Sequence, residues 1–254
     1  MPQQLNFDLP ARPALGRDDF FVSPANAVAA AAVDAPERWP DRRLVLTGPA
    51  GAGKTHLAHV WAAQSGARIL AARALDPAAV PRLATGPVVV EDVPEIAADR
   101  DAQATLFHLH NLVLAEGGAL MLTGREPPSR WNLSLPDLQS RVQAAYHVDL
   151  RAPDDALLAA VLAKLFADRQ ITPKPDLIPY LLQRMDRSFA AAARIVAALD
   201  RMALRDKRAL NRALAVAYFN AARGRAAGTD PADPDAPADS AGPAGPAGAA
   251  GADE

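Results

Sequence analysis

One octapeptide, Gly48-Pro49-Ala50-Gly51-Ala52-Gly53-Lys54-Thr55, constrains the fold more than any other stretch of the chain. It meets the phosphate-loop pattern G-x-x-x-x-G-K-[ST] at every fixed position. Arg43 to Thr47 reads as a short buried strand entering the loop, and Lys54 to Gln64 as a helix leaving it. The glycines let the backbone bend around a phosphate, so successive N–H groups face it, and the helix N-terminus adds partial positive charge. Gly48, Gly51, Ala52, Gly53, Lys54, Thr55 and His56 are therefore expected to line a nucleotide site. Lys54 would reach the β- and γ-phosphates, and the Thr55 hydroxyl would bind Mg²⁺.

The rest of the chain repeats the alternation. Strands are expected over 67–70, 88–92, 119–123 and 146–150, with helices over 99–116 and 136–144 between them. Alternating strands and helices imply an α/β domain with a parallel sheet covered on both faces, here 19–152. After Pro153 the period changes. Leu157, Leu158, Val161, Leu162, Leu165 and Phe166 form a helical apolar stripe, and three more helical segments follow (176–185, 188–204 and 211–222). A small all-helical domain is expected over 153–222. Residues 1–18 read as a flexible arm. The Ala/Gly/Pro/Asp-rich stretch 223–254 has too few large apolar residues to offset its ordering entropy, and disorder is expected there.

Charge is unevenly placed. The formal net charge is −2, but the last 29 residues hold six acids and no Lys or Arg, and without those acids the rest stands at +4. That is mildly basic, and any DNA contact is expected to be indirect or weak. The chain has no cysteine, which excludes a disulfide framework and any cysteine-based metal or nucleophile site. No apolar run is long enough to span a membrane and no leader pattern is seen, so a cytoplasmic location is expected.

Mg²⁺ at a phosphate loop needs a second oxygen ligand, which the acidic end of an adjacent strand can supply. Glu91 is the candidate for that metal-side acid, and Asp92 for the group that polarises attacking water. The bland alternative is a strand edge closed by solvated acids. Thr123, ending the next strand, suits a contact to the γ-phosphate or water, and equally well an ordinary β position. Arg141, on the short helix after Pro136, reads by spacing alone as a solvated arginine; exposed there, it would be able to reach a neighbouring molecule. The histidines carry no metal-ligand spacing.

The order of these pieces resembles a known family. Phosphate loop, acidic strand, L-T-G-R-E-P-P (122–128), L-P-D-L-Q-S-R (135–141) and a trailing helical domain are similar to the DnaA-related AAA+ proteins. The resemblance covers roughly Phe20 to Ala222. It is closest to the Hda-type regulatory inactivators, because a tail rather than a helix-turn-helix domain follows and because Gln4-Leu5-Asn6-Phe7-Asp8-Leu9 resembles their sliding-clamp-binding peptide. In that peptide Gln4 would be a polar anchor, and Leu5, Phe7 and Leu9 apolar ones.

The resemblance implies binding of ADP or ATP with Mg²⁺, with Phe20, Phe21 and Val22 over the adenine. It implies two partners, the initiator DnaA and the β sliding clamp of DNA polymerase III, and a possible homo-oligomer. Arg141 would act in trans as an arginine finger that promotes hydrolysis of ATP on DnaA, as arginine fingers do. Three positions depart from the family: Glu91 replaces the usual Asp, Arg125 stands near the expected sensor-I acid, and Ala190 replaces the sensor-II arginine, with Arg194 one turn later. Glu91 leaves the metal role in place with a longer reach, whereas the missing sensor-II arginine weakens the expectation of turnover at the chain's own site. The alternatives are an ADP-bound adaptor without a catalytic part and a DNA-remodelling or helicase-loading ATPase.

Overall fold

The computed structural model of the chain describes residues 20–206 and 208–227. Its first domain is built on five parallel strands, β1 (Arg43–Thr47), β2 (Arg68–Ala71), β3 (Val88–Glu91), β4 (Leu120–Thr123) and β5 (Tyr146–Asp149), in the spatial order β2-β3-β4-β1-β5. The helices are α1 (Ala27–Asp34), α2 (Lys54–Ser65), the single-turn α3 (Val80–Leu83), α4 (Arg100–Ala115) and α5 (Pro136–Gln143). The five strands and α2, α4 and α5 fall within one or two residues of their sequence-based spans.

β1 is the spine because it is buried on both faces. Leu44 and Leu46 pack with Leu57, Trp61, Val89 and Met121 on one side. Val45 packs with Val88, Val90, Leu122, Leu138 and Val142 on the other. Strand residues alternate between faces, so one hydrophobic run serves two cores. β1, β3 and β4 end at the same edge of the sheet, where loops of a doubly wound fold build ligand sites.

The second domain follows as α6 (Asp155–Ala167), α7 (Leu177–Leu182), α8 (Phe189–Asp206) and α9 (Arg212–Ala227). Its core, separate from the other two, gathers Leu158, Leu162, Phe166, Leu181, Ile195, Val196 and Leu199. The Asp154 carboxylate caps α6 by accepting from Leu157 N–H at 2.8 Å. α9 runs to Ala227, past the Ala222 where the helical region was expected to stop. The remainder of the acidic stretch and the arm lie outside the described residues. No helix among the described residues is long and apolar enough to cross a membrane.

Phe166 is fully buried in the lid core, whereas Leu204 is 72% exposed. Phe166→Ala is expected to cost about 3–5 kcal/mol in denaturant unfolding. Leu204→Ala is expected to stay within about 0.5 kcal/mol.

Candidate nucleotide site

The phosphate loop connects β1 to α2. Gly51 and Gly53 have φ of +74° and +102°, values a side chain would resist. Gly51 also has no room for one, since a Cβ there would overlap the Ser188 side chain, and at Gly53 a Cβ would press on the Phe189 ring at 3.0 Å. The Lys54 side chain is 8% exposed and curls back over the loop. Its Nζ donates to the carbonyl oxygens of Gly48 (2.7 Å) and Pro49 (3.0 Å). Those carbonyls hold the ammonium where phosphate oxygens would compete for it.

Burial pushes the Lys54 pKa below the ordinary lysine value of 10.5. Asp92 opposes that shift, Arg125 adds to it, and Glu91 and Asp149 oppose it more weakly. The groups acting on Lys54 therefore come from β3, β4 and β5 together. Glu91 and Asp92 are half-buried at the end of β3. Asp92 takes a left-handed conformation (φ 53°, ψ 45°), and its N–H donates to the buried Thr123 hydroxyl at 3.0 Å. Asp tolerates this region better than most residues, and the hydrogen bond fixes it there. Thr123 thus touches the catalytic candidate's backbone, a contact that neither sequence reading of that residue anticipated.

The sequence also passed over the Thr47 hydroxyl, which is fully buried. It donates to Asp149 Oδ1 at 2.8 Å and lies 2.7 Å from His147 Nε2. A hydroxyl has one proton, so this pairing assigns an Nε2–H to His147. His147 and Asp149 alternate along β5 onto one face beside the phosphate loop. A polar pair at period two on an edge strand was the available signal.

At the base end the expected residues divide. Phe20 is buried with its ring edge-on to His56, centroids 5.2 Å apart. Phe21 and Val22 are 36% and 53% exposed. The buried Asn26 side chain holds this segment, donating to Phe21 C=O (2.9 Å) and accepting from Ser23 N–H (2.8 Å). The lid closes the other side. Phe189 N–H donates to Gly51 C=O at 3.2 Å, and the Ser188 side chain lies over the Gly51 α-carbon. Ala190, next on α8, is exposed. Arg194 pairs with Asp186 at 3.9 Å inside its own domain.

These residues suit a nucleotide and a hard cation. Thr55 is exposed on the first turn of α2, and Glu91 supplies a carboxylate within the field of Lys54. Among the described residues no three His, Asp or Glu side chains form a cage. A hydroxyl, one carboxylate and phosphate oxygens fit Mg²⁺, which keeps its waters and is rarely caged by protein alone.

Arg141 lies elsewhere. It is exposed near the end of α5, with its guanidinium 5.9 Å from the centroid of the Phe107 ring. Its carbonyl accepts from Arg43 Nη1 at 3.5 Å. Arg43 opens β1 and the phosphate loop follows β1's last residue, so the two features belong to opposite ends of a strand roughly 16 Å long. Gln4, Leu5, Phe7 and Leu9 lie outside the described residues.

No protein-family model matches this sequence. Solved structures do. Domain III of the Thermotoga maritima replication initiation protein DnaA superposes with a TM-score of 0.71 at 17% identity, covering 82% of this chain and 96% of that one. A replication initiator DnaA bound to AMPPCP and single-stranded DNA gives 0.63 at 18%, covering 77% and 69%. A Thermotoga maritima RuvB variant gives 0.62 at 16%, covering 78% and 68%. The fold is that of a DnaA-like AAA+ protein. Within this AAA+ fold the phosphate loop, the β3 acids and Thr123 meet at one edge of the sheet, and the helical lid rests on the loop.

A neutral Lys54 cannot pair with phosphate, and its lowered pKa moves that loss to lower pH than for an ordinary lysine. ADP affinity measured by calorimetry is therefore expected to weaken as pH rises, with the loss beginning below the ordinary lysine value of 10.5. It should fall sharply at all pH values in Lys54→Ala. A flat pH profile, or unchanged affinity in the variant, would remove Lys54 from the site.

Proposed function

We propose that this chain is a clamp-associated AAA+ regulator of replication initiation, of the Hda type, that stimulates hydrolysis of ATP bound to the initiator DnaA. Its own site binds adenine nucleotide, with ADP the expected resting ligand. Lys54 and the loop N–H groups bind the phosphates, and Phe20 and His56 flank the base end. When Mg²⁺ is bound with the nucleotide it screens phosphate charge, and Thr55 and Glu91 would hold it. Arg141 is the finger offered to the partner's nucleotide, and Gln4, Leu5, Phe7 and Leu9 tether the chain to the clamp.

The observation that carries this reading is the position of Arg141. It is exposed, lies 5.9 Å from the Phe107 ring, and has its backbone tied to Arg43, at the end of β1 opposite the phosphate loop. A guanidinium so placed serves a second molecule better than its own. The exposed Ala190 methyl supports slow turnover at the chain's own site.

A second reading keeps nucleotide and docking but gives Arg141 no chemical part. The Arg43 bond to its carbonyl favours that adaptor, since it ties the position into the fold.

DnaA loaded with ATP, clamp-loaded DNA and this chain should show stimulated hydrolysis. Arg141→Ala should abolish the stimulation, a loss on the order of 10³-fold or more for a finger, while docking persists. Stimulation retained in Arg141→Ala would leave the adaptor. Independently, Leu5→Ala with Phe7→Ala should abolish clamp binding in a pull-down without changing the unfolding midpoint. Retained clamp binding would remove the arm from the mechanism.

A further inference from the structure

Formal charge divides sharply between the two domains. Residues 1–152 hold fourteen Lys and Arg against sixteen Asp and Glu, whereas 153–227 hold thirteen Lys and Arg against seven Asp. The lid is therefore net +6. Most of its acids are already engaged. Asp155 pairs with Arg187, Asp168 with Lys164, Asp186 with Arg194, Asp200 with Arg169 and Asp206 with Arg205. Asp154 caps α6.

What remains is a set of arginines with no carboxylate within ion-pair distance among the described residues: Arg184, Arg201, Arg208, Arg212 and Arg223, of which Arg208 still feels the charge of Asp206. All five are exposed. Arg184 and Arg212 come from different segments yet converge on one ring, their guanidinium carbons 4.0 and 5.0 Å from the Tyr180 centroid. Arg212 and Arg223 are eleven residues apart, three turns of α9, and so share a face of that helix about 16 Å apart. Arg201 lies on α8, which packs against α9, and Arg208 lies in the turn joining them. Two like charges gathered on one aromatic without an acid between them are tolerated best if an anion joins them.

We propose that this face of the lid binds the phosphodiester backbone of nucleic acid. Arg184 and Arg212 on one ring and Arg223 three turns further along α9 make a row of cations that matches a line of phosphates, not a single carboxylate. Tyr180 is buried and covered by the two guanidiniums, so it is no platform for base stacking. The contact is therefore to phosphate and independent of sequence. It is separate from Arg141 and from the phosphate loop. It gives the molecule a direct hold on DNA, where the overall charge of the chain suggested at most a weak one.

The test is fluorescence anisotropy of the full chain with a labelled 30-base-pair duplex, and in parallel with a single strand of the same length, across a salt series. Binding that weakens steeply with salt is expected for at least one of the two. Arg184→Ala/Arg212→Ala/Arg223→Ala should lose about tenfold or more in affinity at low salt and flatten the log–log salt slope by about 3. The corresponding triple lysine variant keeps the charge and should restore binding, which separates phosphate contact from damage to the Tyr180 packing. Arg141→Ala should bind as the parent does, so this outcome is independent of the trans-acting reading. Absence of binding to both nucleic acids at low salt, equal binding by the triple alanine variant, or failure of the lysine variant to rescue would each overturn the proposal.

Discussion

An ammonium group in a nearly buried position is the interaction on which the site depends. Desolvation opposes the charge on Lys54, and the loop answers with the carbonyls of Gly48 and Pro49. Carboxylates at the ends of β3 and β5 answer from further away. Those groups converge only because the parallel strands end at a common edge and β4 places β3 within reach of β1. The sheet order is thus a functional requirement as much as a packing solution. A phosphate that replaced the two carbonyls would supply full negative charge to an ammonium now held by dipoles.

Much of this was legible in the sequence. β1 and α2 follow from an apolar run entering a glycine loop, and both cores follow from strand alternation, because Leu44, Val45 and Leu46 leave no other way to bury both faces. The helical lid was legible from the 3.6-residue stripe that ends at Phe166. The loop was legible where its geometry is local: Gly51 and Gly53 take positive φ, and the Lys54 side chain folds back on the loop carbonyls. Contacts between distant segments were not legible. Nothing in the sequence around Thr123 says that its hydroxyl accepts from Asp92 N–H. Nothing in β5 says that Asp149 and His147 meet Thr47. Phe189 and Ser188 reach the loop only because the lid folds back on it. Phe21 and Val22 are exposed where Asn26 fixes the backbone on either side of Val22, through the Phe21 carbonyl and the Ser23 N–H, side-chain bonds that periodicity does not register.

The geometry also separates functions along the strand direction. One end of β1 carries the phosphate loop and the lid contact. The other carries Arg43 and, beside it, Arg141. The phosphate loop and the exposed Arg141 are thereby kept apart, which is the arrangement the proposed action in trans requires.

The central claim is that the arginine works on a neighbour's nucleotide and not on its own. It is tested most directly by loading DnaA and this chain with differently labelled ATP, mixing them with clamp-loaded DNA, and following which label is released as phosphate. The account predicts release from the DnaA-bound pool, while the pool on this chain stays intact over the same interval. Release from the chain's own pool, with the DnaA-bound label untouched, would contradict it.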